Sequence, residues 1–167
     1  NLISMHISAG TILISSSTMD DENFRKSIVF IAEHDGRGAL GFVVNKVFDR
    51  SLNELVEFSK SPAFPLYTGG PVDREHLYFI HRRSDLIAAG IPVTDNIYLG
   101  GDFKQVIEHI NNKMLSAADI KIFIGYCGWD TDELEKEIAE GSWIIMDCSN
   151  DVVFSEYPGV LPGGFFD

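Results

Sequence analysis

The chain has 167 residues, of which 13 are basic and 25 acidic, so its formal net charge is −12. This length predicts one domain, and a hydrophobic content of 45% argues against a disordered chain. The negative charge disfavours direct binding to nucleic acid, because the long-range field of the protein repels phosphate.

Cysteine content and hydropathy indicate the compartment. Cys127 and Cys148 lie far apart and form no CxxC pair, which argues against a disulfide framework and favours a reducing compartment. No apolar run reaches the roughly 18 residues of a membrane span, and residues 1–6 lack the basic start of a signal peptide. We therefore expect one cytoplasmic domain over residues 1–167, with no membrane contact.

The first predicted elements are strands. Thr11–Ser15 reads as a strand, and the apolar run in Ser27–Glu33 predicts a strand that is covered on both faces. Asp35-Gly36 favours a turn, after which Phe42–Val44 resumes the strand pattern. The pattern predicts an antiparallel hairpin with a loop longer than the minimum.

A capping box, Ser51–Glu54, predicts a helix whose apolar face includes Leu52, Leu55 and Val56. Gly69-Gly70-Pro71 then predicts a tight turn with an exposed backbone. Two strands are expected after this turn, at residues 77–81 and 97–99.

Asp102–Gln105 repeats the capping pattern before an amphipathic helix, whose apolar positions are Phe103, Val106, Ile107, Ile110 and Met114. Residues 121–124 predict a buried strand, and Gly125–Trp129 is interpreted as the turn between that strand and the next helix. That helix begins at a third capping box, Asp130–Glu133, and ends at Gly141. Residues 143–146 and 152–154 predict two further strands, and the tail at residues 157–167 is expected to be irregular.

About seven strands and three helices result, without strict alternation of the two. This order favours an α+β fold with a mixed sheet over a doubly wound fold.

The chemistry-bearing residues form no recognisable catalytic set. Gly36, Gly38 and Gly41 have GxGxxG spacing, but a strand follows them where a dinucleotide site needs a helix. Cys127 could act as a nucleophile if His34 or His81 lay nearby, although a small residue packed in a turn is the preferred interpretation. No pair among the five histidines has the spacing of a metal site. We expect no metal and no cofactor; whether the protein is an enzyme stays open, and the missing catalytic set favours a non-enzyme.

Three segments in order carry a family resemblance. They are Phe24–Asn45, which includes Glu33-His34 and Gly38–Val44; Gly69–Val72, followed by Leu77–His81; and Gly125–Trp129, followed by Trp143. Together they resemble the YqgE/AlgH family of bacterial proteins, over a stretch from about Gly10 to Phe154.

The resemblance implies a compact fold in which a bifurcated sheet forms a small closed barrel surrounded by helices. Family members are largely uncharacterised, and some carry the label of transcriptional regulator. No catalytic residue or cofactor transfers from the family. The matching motif positions become candidate binding or structural residues: His34, Asn45, Gly69, Gly70, Pro71, His81, Gly125, Tyr126, Gly128 and Trp129. Two departures are that Cys127 is often alanine in the family, and that family chains usually continue past Phe154 into a further helix.

Three functions remain open. The first is a non-enzymatic binding or regulatory protein that contacts an unidentified protein partner. The second is a small-ligand-binding protein or enzyme whose site collects His34, Asn45, Gly69-Gly70, His81 and Trp129. The third, direct DNA binding, ranks last because no predicted helix is basic.

Overall fold

The computed structural model describes residues 7–146 and 151–156. The strands among these residues are β1 Ile12–Ser15, β2 Ile28–Asp35, β3 Gly38–Val43, β4 Leu66–Thr68, β5 Val72–His81, β6 Ile91–Thr94, β7 Ile97–Leu99, β8 Ile120–Asp130 and β9 Trp143–Met146. The α-helices are α1 Phe103–Asn111, α2 Glu133–Ala139 and α3 Asp151–Phe154. Short 3-10 helices cover Glu22–Phe24, Leu52–Glu54 and Val56–Phe58. The predicted tail at residues 157–167 lies outside the described residues.

The strands form one large, mainly antiparallel sheet in the order β6-β7-β5-β8-β3-β2-β1-β9. The strand β8 divides the sheet into two parts. Its residues 122–124 pair in parallel with β4 and antiparallel with β5, whereas residues 127–130 pair with β3. The predicted α+β class and the mixed, bifurcated sheet are confirmed.

The expected small closed barrel is wrong, because the sheet stays open. Within the described residues, β6 pairs only with β7 and β9 only with β1. The Thr94 side chain of β6 packs against Gly10, just before β1, so side-chain contact replaces a hydrogen-bonded ladder there. Pro92 also removes one N–H donor from the four-residue β6. The described α-helices have nine, seven and four residues and do not surround the sheet.

Three apolar clusters form the core. One lies between the two parts of the sheet, where the Phe42 and Phe123 rings stack at 4.5 Å. A second packs α1 against the first half of β8, and a third packs α2 against β2, β3 and the second half of β8. The two helices therefore cover different halves of β8.

The β2–β3 hairpin is tighter than expected. Asp35 pairs with Gly38, so the loop has only two residues, Gly36 and Arg37, and the predicted longer loop is wrong. Gly38 and Gly41 belong to the ladder itself. Both positions need glycine, because neighbouring backbone leaves no room for a side chain. The sequence pattern predicted that they lie in the loop, because glycine usually marks turns and loops.

The predicted helix after Ser51 is also wrong. The Ser51–Glu54 capping box forms, with the Ser51 N–H donating to Glu54 Oε1 at 2.9 Å, but it begins only 3-10 turns. Leu55 has extended dihedral angles (φ −84°, ψ 135°) that interrupt the helix, and Leu52 donates its N–H to the Phe64 carbonyl instead. Val56 consequently leaves the apolar face and is 89% exposed.

The C-terminal half confirms the helix that begins after Asp102, the helix that ends before Gly141, and the strand at residues 143–146. Residues 152–154 lie in α3 rather than in a strand. The first of these helices ends at Asn111, so Met114 lies beyond it and is exposed. No helix in the described part of the chain is long and apolar enough to cross a bilayer.

Candidate functional site

The motif glycines mark a point where two backbones cross. Gly69 donates its N–H to the Ile124 carbonyl at 2.9 Å and accepts from the Val43 N–H at 2.8 Å. A Cβ atom at Gly70 would lie 2.2 Å from the Tyr126 carbonyl, and one at Gly125 would lie 2.4 Å from the Gly70 carbonyl oxygen. Gly69 and Gly70 are therefore buried, and the expected exposed turn is wrong.

The stretch Gly125–Trp129 lies within β8 and is not a turn. Gly125 has a φ of +76°, which lets the strand change direction without ending. The neighbouring strand β5 bulges at this point: Val72 pairs with Tyr126 and Leu77 with Ile124, so four residues face Gly125 alone. We call residues 73–76 the β5 bulge; β-bulges of this kind often occur beside functional sites.

Asp73 holds the β5 bulge together. Its Oδ1 accepts from His76 Nδ1 at 2.7 Å, and its Oδ2 accepts from the Tyr78 hydroxyl. The bonds from Tyr78 and then His76 lower the pKa of Asp73, whereas the bond to Asp73 raises the pKa of His76. The same carboxylate raises the pKa of Tyr78 to about 12. The bulge is thus an ordered projection.

The β5 bulge forms one wall of a cavity of about 480 Å³, which we call the bulge cavity. Its lining combines positively and negatively charged side chains with apolar ones, and several of these belong to residues 48–58, which include the 3-10 turns. Its charged and protonatable lining residues are Asp49, Arg50, Glu57, Arg74, Glu75 and His76, and its apolar ones are Phe48, Leu55, Phe58, Leu77 and Ile124.

A second cavity of about 220 Å³ lies beside the Gly69-Gly70-Pro71 turn, and we call it the turn cavity. Lys46 lines it and donates from Nζ to the Asn23 carbonyl at 3.3 Å. Partial burial lowers the pKa of Lys46. Arg74 lines both cavities, so they are adjacent.

Arg50 and Arg74, which line these cavities, differ from the three arginines that pair with aspartate. Arg37, Arg82 and Arg83 each form an ion pair with aspartate. Within the described residues, Arg50 and Arg74 form none. The Arg50 guanidinium lies over the Phe48 ring at 5.5 Å. The hydrogen bonds from Ser51 lower the pKa of Glu54, and the positive charge of Arg50 lowers it further. Two guanidinium groups are therefore available at these cavities.

Several exposed apolar residues are next in sequence to residues that line these cavities. The described chain has six large exposed hydrophobic residues, and three of them adjoin cavity-lining residues in sequence. Val47 lies between Lys46 and Phe48, Val56 between Leu55 and Glu57, and Val72 follows Pro71. We call Val47, Val56 and Val72 the valine rim.

His34 and Trp129 lie on one row of the sheet, since both pair with Ala39. Helix α2 covers this row. His34 donates from Nε2 to Glu135 Oε2 at 2.7 Å, and Trp129 donates to Glu137 Oε1 at 3.0 Å. Both side chains thus attach the helix to the sheet.

His81 lies at the other end of β8, opposite Ile120. Trp129 lies nine positions further along the strand, beyond the change of direction at Gly125, and lines a cavity of about 230 Å³ with Glu33 and Leu40. His81 is fully buried: its Nδ1 accepts from the Arg83 N–H at 3.1 Å, so Nε2 carries the proton that it donates to the Gly100 carbonyl. Burial lowers its pKa. His81 and Trp129 therefore do not line a common pocket.

The other motif residues have distinct surroundings. Asn45 joins the ends of two segments, because Oδ1 accepts from the Ile28 N–H and Nδ2 donates to the Lys26 carbonyl, each at 2.9 Å. Tyr126 packs edge-on against Tyr78 at 5.3 Å, which connects it to the bulge. Gly128 is exposed, and Pro71 lines the turn cavity.

Cys127 lies inside β8 and not at a helix N-terminus. Its Sγ is buried and donates to the Gly69 carbonyl at 3.3 Å. Burial raises its pKa to about 12, so the thiol stays protonated. Cys127 thus fills buried space next to Gly69.

Sequence reasoning missed Lys46, Arg50, Asp73, Arg74 and His76. The available signal was Asp73-Arg74-Glu75-His76, four polar residues directly before a predicted strand. No group of three or more histidine, cysteine, aspartate or glutamate side chains in the described ranges could hold a metal ion.

Comparison with known proteins identifies the family. A family model described as AlgH-like matches residues 12–161. A UPF0301 protein of Chlorobium phaeobacteroides is 33% identical over 150 residues, covering 90% of this chain and 80% of the relative. A UPF0301 protein of Parabacteroides distasonis is 36% identical over 148 residues, covering 87% and 75%.

Solved structures share the fold. The solution structure of AlgH from Pseudomonas aeruginosa is similar with a TM-score of 0.71 and 24% identity, covering 87% of this chain and 80% of that one. The crystal structure of protein DIP2367 from Corynebacterium diphtheriae gives a TM-score of 0.68 at 20% identity, covering 89% and 80%. The sequence resemblance is thereby confirmed, and the chain belongs to the AlgH-like family.

Proposed function

We propose that this protein is a non-enzymatic binding protein with a regulatory role, and that it contacts another protein through the valine rim around Arg74. One observation carries this proposal. Three of the six large exposed hydrophobic side chains of the described chain belong to residues that are next in sequence to the lining of two adjacent cavities, which share one arginine without an ion pair.

The composition of this surface suits a protein interface. Arginine is enriched at interfaces and often contributes much of their binding energy, while apolar side chains supply buried area. The surrounding charges have both signs, which favours specific electrostatic complementarity over general attraction to anions. The Asp73 hydrogen bonds fix the bulge in advance, and a fixed surface loses less conformational entropy on binding.

The pKa values of Asp73 and Tyr78 argue against proton transfer by these two groups. A general acid or base works best with a pKa near the operating pH. The hydrogen bond between Asp73 and Tyr78 lowers the pKa of Asp73 and raises the pKa of Tyr78, so both pKa values move away from that range. These groups serve to hold the bulge in place.

Site-specific photocrosslinking in living cells tests the proposal. A benzophenone amino acid at Val56 reports on the rim, because this side chain is 89% exposed. The same probe at Met114 or Ile144, both exposed but remote from the two cavities in sequence, provides a matched control. We expect one discrete crosslinked species from position 56 and none from the controls.

Arg74→Glu, combined with the probe at position 56, completes the test. Charge reversal at the shared arginine should remove the crosslinked species without changing the amount of soluble protein. A species that survives Arg74→Glu, or that forms equally from position 114, contradicts a contact at this surface.

A further inference from the structure

We propose that the turn cavity binds the phosphate group of a small molecule, between the side chains of Lys46 and Arg74 and beside Thr68. The proposal goes beyond the protein contact, because it requires only the turn cavity and neither the valine rim nor a protein partner.

Two cations face this cavity with donors to spare. The Lys46 ammonium has three N–H donors, and among the described residues it uses one, on the Asn23 carbonyl. Arg74 has five donors and forms neither an ion pair nor a side-chain hydrogen bond with a described residue. Paired cationic donors of this kind suit a phosphate, whose hydrogen bonds to charged groups are short and strong.

Backbone pairing fixes the segments that carry the donors. The Thr68 N–H donates to the Lys46 carbonyl at 2.7 Å, and Val47 forms a β-bridge with Tyr67, so Lys46 and Thr68 lie on paired segments. Arg74 belongs to the β5 bulge, and its side chain packs against Gly125. Because three segments converge already positioned, an incoming anion need not order them.

Partial burial of Lys46 strengthens the case. An ammonium that has lost part of its hydration gains more from an incoming anion than a fully solvated one. This desolvation lowers the pKa of Lys46. The Cys127 thiol near it has a pKa raised to about 12, so it is neutral and does not repel phosphate.

Two carboxylates oppose the anion. Glu22 lines the cavity and Asp21 acts on Lys46 electrostatically, but neither forms an ion pair with Lys46 or Arg74 in the described structure. Asp21 Oδ1 already accepts from the Asn23 N–H at 2.9 Å. Glu22 is exposed and lines the cavity. Because its negative charge repels an anion, neutralising Glu22 should strengthen phosphate binding.

Titration with inorganic phosphate and with phenyl phosphate, followed by ¹H–¹⁵N NMR, tests the site. We expect saturable shifts of the Lys46, Thr68 and Gly70 amide signals. Lys46→Met and Arg74→Gln should each weaken binding by roughly tenfold to a hundredfold, since a hydrogen bond to a charged group contributes about 1.5–3 kcal/mol and about 1.4 kcal/mol corresponds to a factor of ten. Glu22→Gln should tighten it, and the spectrum of each variant also reports whether it folds.

Arg50→Gln is the matched control, because Arg50 lines the bulge cavity but not the turn cavity. It should leave the affinity for inorganic phosphate unchanged. If phenyl phosphate, but not inorganic phosphate, also shifts the Phe48 and His76 signals, the ligand is a phosphate monoester whose apolar part extends past Arg74 into the bulge cavity. If both compounds shift the same signals, the ligand is the free phosphate anion. An Arg50→Gln effect as large as that of Arg74→Gln, or no saturable shift in the wild type, overturns the site. Either result leaves the crosslinking test at Val56 unaffected, so the two proposals fail separately.

Discussion

Trp129 and Trp143 donate their indole N–H groups to one shared acceptor, Oε1 of Glu137, at 3.0 and 2.9 Å. Their rings meet edge to face at 6.3 Å, and Phe24 packs against both. One carboxylate on α2 thereby joins β8 to β9, which pair with different strands of the sheet. Trp129 belongs to the family motif, and its role here is to fasten the helix.

Substitution of Glu137 tests this junction. Glu137→Leu leaves two buried indole donors without an acceptor, and each should cost about 1–3 kcal/mol of unfolding free energy. Glu137→Gln keeps an Oε1 acceptor and should cost less. Urea unfolding followed by tryptophan fluorescence measures both variants. Equal losses for leucine and glutamine would show that the shared hydrogen bonds contribute little.

Gly125 permits the backbone crossing, so Gly125→Ala should be severely destabilising. The left-handed φ of +76° costs an alanine roughly 1–2 kcal/mol. Its Cβ would also lie 2.4 Å from the Gly70 carbonyl oxygen, which belongs to backbone and cannot rotate away. Gly128→Ala, on the same strand, is the control, since its nearest contact would be 3.6 Å. Denaturation midpoints should fall steeply for the first variant and stay near wild type for the second.

The Cys127 thiol should resist alkylation in the native protein. It is fully buried, and its pKa is raised to about 12 by that burial. Iodoacetamide reacts with thiolates, so modification at pH 8 should require unfolding. A Cys148→Ser background isolates the signal, and intact-mass spectrometry measures the rate with and without urea. Rapid native labelling would contradict the buried position.

The Asp73–His76 pair should make stability depend on pH. The folded pKa of His76 lies above 6.5, so its contribution is complete below pH 6.5 and is lost as the pH rises through the folded value. The folded pKa of Asp73 lies below 3.8, so its contribution is present above pH 3.8 and is lost as the pH falls through the folded value. The pair therefore stabilises most between about pH 4 and 6.5.

Asp73→Asn is the appropriate variant, because asparagine also tolerates the φ of +52° at this position. The stability difference between wild type and Asp73→Asn should be greatest near pH 5.5 and should shrink toward pH 9. The ¹H signals of His76 should titrate at a lower pH in the variant. An unchanged His76 titration would show that the pair does not form.

Local patterns were sufficient to predict β2, the N-cap of α1 at Asp102, the end of α2 before Gly141, and the family motifs. The predicted capping box at Asp130–Glu133 is wrong, because Asp132 is the N-cap of α2 and its side chain accepts no hydrogen bond there. They were insufficient at Gly125, because glycine in a strand usually indicates a break, whereas here it accommodates Gly70 from a segment 55 positions earlier. The β5 bulge has the same origin. Asp73–His76 looks like a polar loop until its pairing with β8 is known, and that pairing joins residues about 50 positions apart. The candidate site depends on these distant contacts and so could not be read from local sequence.

The position of β8 constrains how the protein is made. This strand pairs with β3, β4 and β5, yet it begins only at Ile120, so all three partners leave the ribosome before it. During synthesis β2 and β3 can already pair, which leaves the other edge of β3 open to unwanted strand pairing. The strand β4 has no other partner among the described strands. A chain interrupted before residue 130 therefore exposes strand edges that the finished protein covers, and completion of β8 is the step that removes them.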